Sequence, residues 1–171
     1  MRVKTASWAL IVVLGLLPVA CGDKGKAGAA TSGMKLSGAI GDPRTWSVEG
    51  LASLPQQTQE VSFVGEGMTK AIRGRGVLLL DLLQRAKPKF DPKKKRDALR
   101  YAVLVHAVDN YDAVISWGEI DPDFAAKPIL VTVDENDKRL ERPGLIVPGD
   151  KHGGRHVVDI DRISLEVVKS S

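Results

Sequence analysis

The sequence predicts an α+β fold: a strand-rich mixed sheet with a few short helices on one side or edge. Three observations carry that reading. Short stretches alternate apolar and polar residues with a period of two, turn residues punctuate them, and only one run, near residue 80, shows a strong helical pattern. In order, "MKLSGAI" (34–40) is a strand closed by the turn "GDP". Ser47 is placed to cap a short helix through "VEGLASL", which Pro55 stops. "QEVSFV" alternates as a half-buried strand, "GEG" turns it and "TKAIRG" returns. "GVLLLDLLQRA" (76–86) is the best helix, apolar at Leu79, Leu82 and Leu83 and polar at Asp81, Gln84 and Arg85.

The second half is richer in strands. "RYAVLVHAV" is a nearly continuous apolar run, expected of a central strand covered on both faces. "DNYD" turns it into "DAVISW", a hairpin, and "GEIDPDFAAKP" carries short-helix and turn signals. "ILVTVD", the turn "END", "GLIVP" and "RHVVDIDRISLEVV" complete the set.

The N-terminus reads as a targeting segment. Arg2 and Lys4 precede an uncharged run containing "WALIVVLGLLPVAC", which is short for a bilayer-spanning helix of about 20 residues. Cys21, the only cysteine, follows Ala20 and resembles the lipidated cysteine of a bacterial lipobox, although Pro18 stands where a leucine is usual. A lipoprotein signal and an ordinary secretory signal both fit, and both export the chain. The domain plan is a signal over 1–21, a Gly/Ala-rich tether over 22–33 and a folded domain over 34–171. The formal charge of +4 includes Arg2 and Lys4; without them 23 basic residues face 21 acidic ones, which excludes a nucleic-acid surface. The basic run "KPKFDPKKKRDALR" reads as a solvated loop leading into a helix, with a polyanion site as the alternative.

Catalytic motifs are sparse. No serine sits in a Gly-x-Ser-x-Gly elbow, and Cys21 belongs to the signal. His106 falls within a strand, where a hydrogen-bonded core histidine is expected. His152 and His156 are four apart, but Gly153 and Gly154 between them disfavour a helix, and no third metal ligand is near. The carboxylates of "GEIDPDF" and "VDENDK" lie in turns. No catalytic or metal-binding residue is therefore assigned. The stretch "VPGDKHGGRHVVDI" is richer: Lys151, His152, Gly153, Gly154, Arg155 and His156 suit an anion-binding loop, with glycines free to take positive φ and an arginine fork for phosphate. A basic connection between two strands explains the same residues.

Taken in order, "KLSGAIGDPRTWSVEGLASLP", "RGVLLLDLLQRA", "VLVHAVDNYDAVISWGEIDPDF" and "GLIVPGDKHGGRHVVDIDRISLEV" resemble the oxidoreductase molybdopterin-binding domain, the fold of sulfite oxidases, and particularly its small stand-alone bacterial members. The resemblance spans residues 34–168. It implies a molybdenum–molybdopterin cofactor whose phosphate lies against the loop of Lys151, His152, Gly153, Gly154, Arg155 and His156. Two positions depart from the pattern. Val64 or Gly65 stands where the catalytic enzymes carry a metal-ligating cysteine, and Gly144 stands where an arginine is usual, with Arg142 displaced by two. The expectation is an exported, periplasmic, lipid-anchored domain that has lost oxygen-atom transfer and binds a pterin-like or other anionic ligand. The alternatives are an envelope protein-interaction module on the same scaffold and a molybdoenzyme whose metal lacks a protein thiolate.

Overall fold

Period-two alternation gives several strands one core-facing side, and the strands lie in two sheets. The computed structural model describes residues 33–169; the apolar N-terminal run, Cys21 and most of the tether lie outside the described residues. The elements are β1 (Met34–Gly38), β2 (Arg44–Trp46), α1 (Val48–Ala52), β3 (Gln57–Gly65), β4 (Met68–Leu78), α2 (Leu79–Arg85), β5 (Tyr101–Ala107), β6 (Asp112–Ser116), α3 (Trp117–Ile120), β7 (Leu130–Glu135), β8 (Lys138–Ile146) and β9 (Ile160–Val167). A mixed sheet has the order β2-β1-β9-β5-β6, and an antiparallel sheet has the order β3-β4-β7-β8. The α+β, strand-rich architecture is the one the sequence predicts.

The main core takes Met34 and Leu36 from β1, Val103 and Val105 from β5, and Ile163 and Leu165 from β9, all with essentially no solvent exposure. Leu79, Leu82 and Leu83 of α2 and Leu51 of α1 close it. A second cluster of Val61, Phe63, Ile72, Leu130 and Ile146 lies on the antiparallel sheet, beneath the loop that follows β8. Among the described residues the buried ones run from Met34 to Leu165.

Local chemistry explains the elements. Ser47 caps α1 as expected, its hydroxyl accepting from the Gly50 N–H at 3.1 Å. The β5–β6 and β7–β8 hairpins form at the expected turns. The predicted helix over 76–86 is shorter than its pattern, because β4 runs on through Val77 and Leu78 and the helix starts at Leu79. Gly76 permits this: a Cβ there would sit 2.1 Å from the Val131 carbonyl of β7, a backbone approach only glycine allows. Strand β2, with two exposed residues out of three, gave no sequence signal. Strand β5 is buried on one face and half-buried on the other, rather than covered on both.

Gly38 is a second position of close approach, at φ +91°, where a Cβ would meet the Leu165 oxygen at 2.3 Å and nitrogen at 2.8 Å. The β1–β9 pair is the parallel pairing of the mixed sheet and neither backbone can retreat. Gly38→Ala is expected to destabilise the domain by about 2–4 kcal/mol, measured by urea unfolding.

Candidate functional site

The loop singled out in the sequence, residues 147–159, carries the chain from β8 of one sheet to β9 of the other. Such a crossover must satisfy its backbone polar groups without a ladder. It does so by borrowing partners from three places: β8, β3 and the β5–β6 turn. Leu145 and Val157 exchange hydrogen bonds of 2.7 and 3.2 Å, the Val64 N–H of β3 donates to the Lys151 carbonyl at 2.9 Å, and the Val108 N–H after β5 donates to the Asp159 carbonyl at 3.1 Å. The Tyr111 hydroxyl donates to the Gly154 carbonyl at 2.5 Å.

Arg155 fastens the loop from within. Its Nε and Nη2 donate to the two Asp150 oxygens at 2.8 and 2.6 Å, and its Nη1 donates to both Glu119 oxygens at 3.1 and 2.9 Å. Glu119 comes from α3, where it also accepts from the Ser116 N–H at 3.2 Å and from Lys127 Nζ at 3.0 Å. Burial opposes ionisation of Glu119, but the hydrogen bonds from Arg155 and Lys127 outweigh it and hold its carboxyl below the usual range. The hydrogen bonds that Arg155 donates to Asp150 likewise raise its guanidinium above its already high value. Both bidentate forks of the guanidinium are thus spent on carboxylates.

His156 is tied in a different direction. Its Nε2 lies 3.0 Å from Glu135 Oε2, Glu135 Oε1 accepts from the Thr132 hydroxyl at 2.8 Å, and the imidazole packs on Phe63 with ring centroids 5.3 Å apart. Gly144 makes room for this network. A Cβ there would stand 2.7 Å from Thr132 Oγ1 and 2.9 Å from Glu135 Oε1. The residue at the family's arginine position is therefore small because a buried hydroxyl and carboxylate fill the space.

The six sequence-predicted loop residues separate into three groups. Lys151 and His152 are exposed, Arg155 and His156 are partly buried and paired, and Gly153 and Gly154 form a single 3-10 turn, Gly153–Arg155. The expected positive φ is not at these glycines; among glycines of the loop it falls at Gly149, φ +85°. Gly153 is required instead by contact, since a Cβ there would meet the Phe63 ring at 2.7 Å. Gly153 and His156, with Ala107, Asp109, Tyr111, Val157 and Val158, line a cleft of about 280 Å³. His106 is hydrogen-bonded as expected, 2.7 Å from Asp161 Oδ1, but it lies on the half-buried face of β5 and not in the core.

Val64 sits beside the loop, bridged in parallel to His152. Val64, one of the two positions (with Gly65) where the resemblance expects a metal-ligating cysteine, is therefore adjacent to the predicted loop but offers only hydrocarbon. With Val64 unable to ligate, Arg155 spent and Gly144 hemmed in by Thr132 and Glu135, these residues do not fit a molybdenum–dithiolene centre. Among the described residues no group of three or more histidine, cysteine or acidic side chains is arranged to hold a metal ion. Sequence reasoning set Glu119 and Glu135 aside as turn carboxylates and missed Asp150 and Thr132; the structure places Glu119 in α3, where "SWGE" forms a capping box, and Glu135 at the end of β7.

No family model matches the chain and no curated protein matches it. Among solved structures it is similar to the sulfane dehydrogenase SoxCD from Paracoccus pantotrophus, with a TM-score of 0.60 and 16% identity. The match covers 78% of this chain and 38% of that one, so the chain spans well under half of its length. The likeness is one of fold: the strand-rich α+β architecture is consistent with the sulfite-oxidase type that the motifs resembled.

Arg155→Met leaves Asp150 and Glu119 facing each other without their shared cation and should destabilise the domain by about 2 kcal/mol near neutral pH. The folded-state pKa of Glu119 is depressed, so its contribution is present above the ordinary value of 4.5 and is lost as pH falls through the folded value. Thermal unfolding followed from pH 7 into the acid range should show a shallower acid-side loss for Arg155→Met than for the native protein.

Proposed function

We propose that the protein is an exported domain on the molybdopterin-binding scaffold that does not carry out oxygen-atom transfer and uses its β8–β9 crossover as a binding surface. The observation that carries this reading is the juxtaposition of Val64, which has no ligating atom, with the loop of Lys151 and His152. The ligand class is an anion, a pterin phosphate or another, met by the exposed Lys151 and His152 and by the backbone of Gly153 and Gly154. Arg155 and His156 act as positioning residues, holding the loop through Asp150, Glu119 and Glu135. Cys21 is the lipidation site in this reading, tethering the domain to the periplasmic face of a bacterial membrane.

A protein partner at the same face is the second reading, and the rim of the cleft favours it. Val108, Tyr111 and Val158 are about half exposed around it, an apolar border that a small anion would leave uncovered.

Protein purified from its own host should contain no stoichiometric molybdenum, measured by elemental analysis. Calorimetric titration with a pterin phosphate should show binding weakened about fivefold to tenfold by Lys151→Ala, the loss of one charge-assisted contact. Stoichiometric molybdenum would overturn the non-catalytic reading in favour of a molybdoenzyme without a protein thiolate. Silence in the titration, with capture of an envelope protein lost on Tyr111→Ala, would transfer the surface to a protein partner.

A further inference from the structure

The basic run that the sequence marks as a solvated loop is neither loosely held nor alone. Residues 85–100 carry eight basic side chains against two aspartates, so the remainder of the chain, with 17 basic and 19 acidic residues, is slightly acidic. The charge of the protein is thus segregated onto one ridge. That ridge has a fixed shape. Phe90 is wedged edge-on between Tyr101 and Trp117, at centroid distances of 5.0 and 4.7 Å. Asp97, only 4% exposed, accepts from the Asp91 N–H at 2.8 Å and from Arg100 at 3.0 Å. The Lys89 N–H donates to the Ala39 carbonyl at 2.9 Å. Anchored in this way, Lys87, Lys89, Lys93, Lys95 and Arg96 stand exposed with no ion pair among the described residues.

An apolar groove of about 440 Å³ adjoins the ridge, lined by Leu99, Val114 and Val168 between Arg100 and Lys169. The three apolar side chains are 38%, 56% and 61% exposed. We propose that this ridge and groove together dock on an anionic phospholipid bilayer. A membrane accepts both halves at once: headgroup phosphates meet the lysines, and the acyl boundary takes Leu99, Val114 and Val168. The Cys21 anchor of the preceding section makes a bilayer the nearest polyanion, because twelve tether residues reach about 40 Å. The surface itself does not depend on that anchor.

The test uses residues 22–171, which contain every buried residue of the described domain and lack the apolar N-terminal run. Co-sedimentation should occur with vesicles of phosphatidylglycerol and phosphatidylethanolamine, weaken with added salt, and be absent with phosphatidylcholine alone. Lys93→Gln/Lys94→Gln/Lys95→Gln should lower the vesicle affinity roughly a hundredfold, about fivefold for each charge removed near the surface. Leu99→Ser/Val168→Ser should lower it severalfold with the salt dependence unchanged. Circular dichroism confirms that each variant is folded. No binding to the anionic vesicles at low salt, or equal binding by the lysine variant, overturns the proposal; so does retention on an acidic protein without vesicle binding. Because the anchor is missing from this chain, failure here leaves the Cys21 reading to be judged separately, by mass analysis for acylation.

Discussion

The structure depends on a single guanidinium at the point where the chain changes sheets. Between β8 and β9 the backbone has no ladder to follow, and Arg155 supplies the missing constraint by binding Asp150 within the loop and Glu119 on α3. With Lys127 also on Glu119, two cations balance two carboxylates in a partly buried site. That balance has a functional consequence. An arginine whose donors are spent on carboxylates presents no fork to a phosphate, and an arriving anion would meet Asp150 and Glu119 as well. The residue that resemblance would aim at a ligand serves here to hold the loop.

The other departures from the family pattern are physically coupled to this one. Gly144 is small because Thr132 and Glu135 occupy the space beside it, and Glu135 is there to pair with His156 from the same loop. A buried carboxylate without a partner is costly, so Glu135, Thr132 and His156 form a set rather than three independent choices. An arginine side chain at 144 would have to displace that set. Val64 then stands against a loop already closed on its own charges. A cysteine at that position would stand beside Lys151 and His152, on a loop whose arginine is already paired.

Much of this was legible in the sequence where the signal is local. The Ser47 cap and the two hairpins depend on residues a few positions apart, and the structure has them as read. The boundary between β4 and α2 was not legible, because "GVLLLDLL" suits either period until the approach of β7 to Gly76 selects a strand for its first residues. The loop was recognised as special from its composition, but its glycines do a different job from the one expected. Gly153 is glycine because of Phe63, 90 positions away, and Arg155 finds Glu119 36 positions away. Pairings at such separations leave no trace in a single sequence, whereas lysine runs and apolar alternation do.

The strand directions give the two proposed surfaces a common logic. Strand β5 starts at Tyr101, beside the basic ridge, and ends at Ala107, beside the crossover loop, while β9 runs the opposite way between the same two ends. At about 3.3 Å per residue, the seven residues of β5 separate ridge from loop by roughly 20 Å. A domain seated on a bilayer by its lysines would therefore hold Lys151, His152 and the Tyr111 cleft on the far side, open to soluble ligands and partners. Strand β1 is parallel to β9, so the chain also enters β1 at the loop end, away from the ridge.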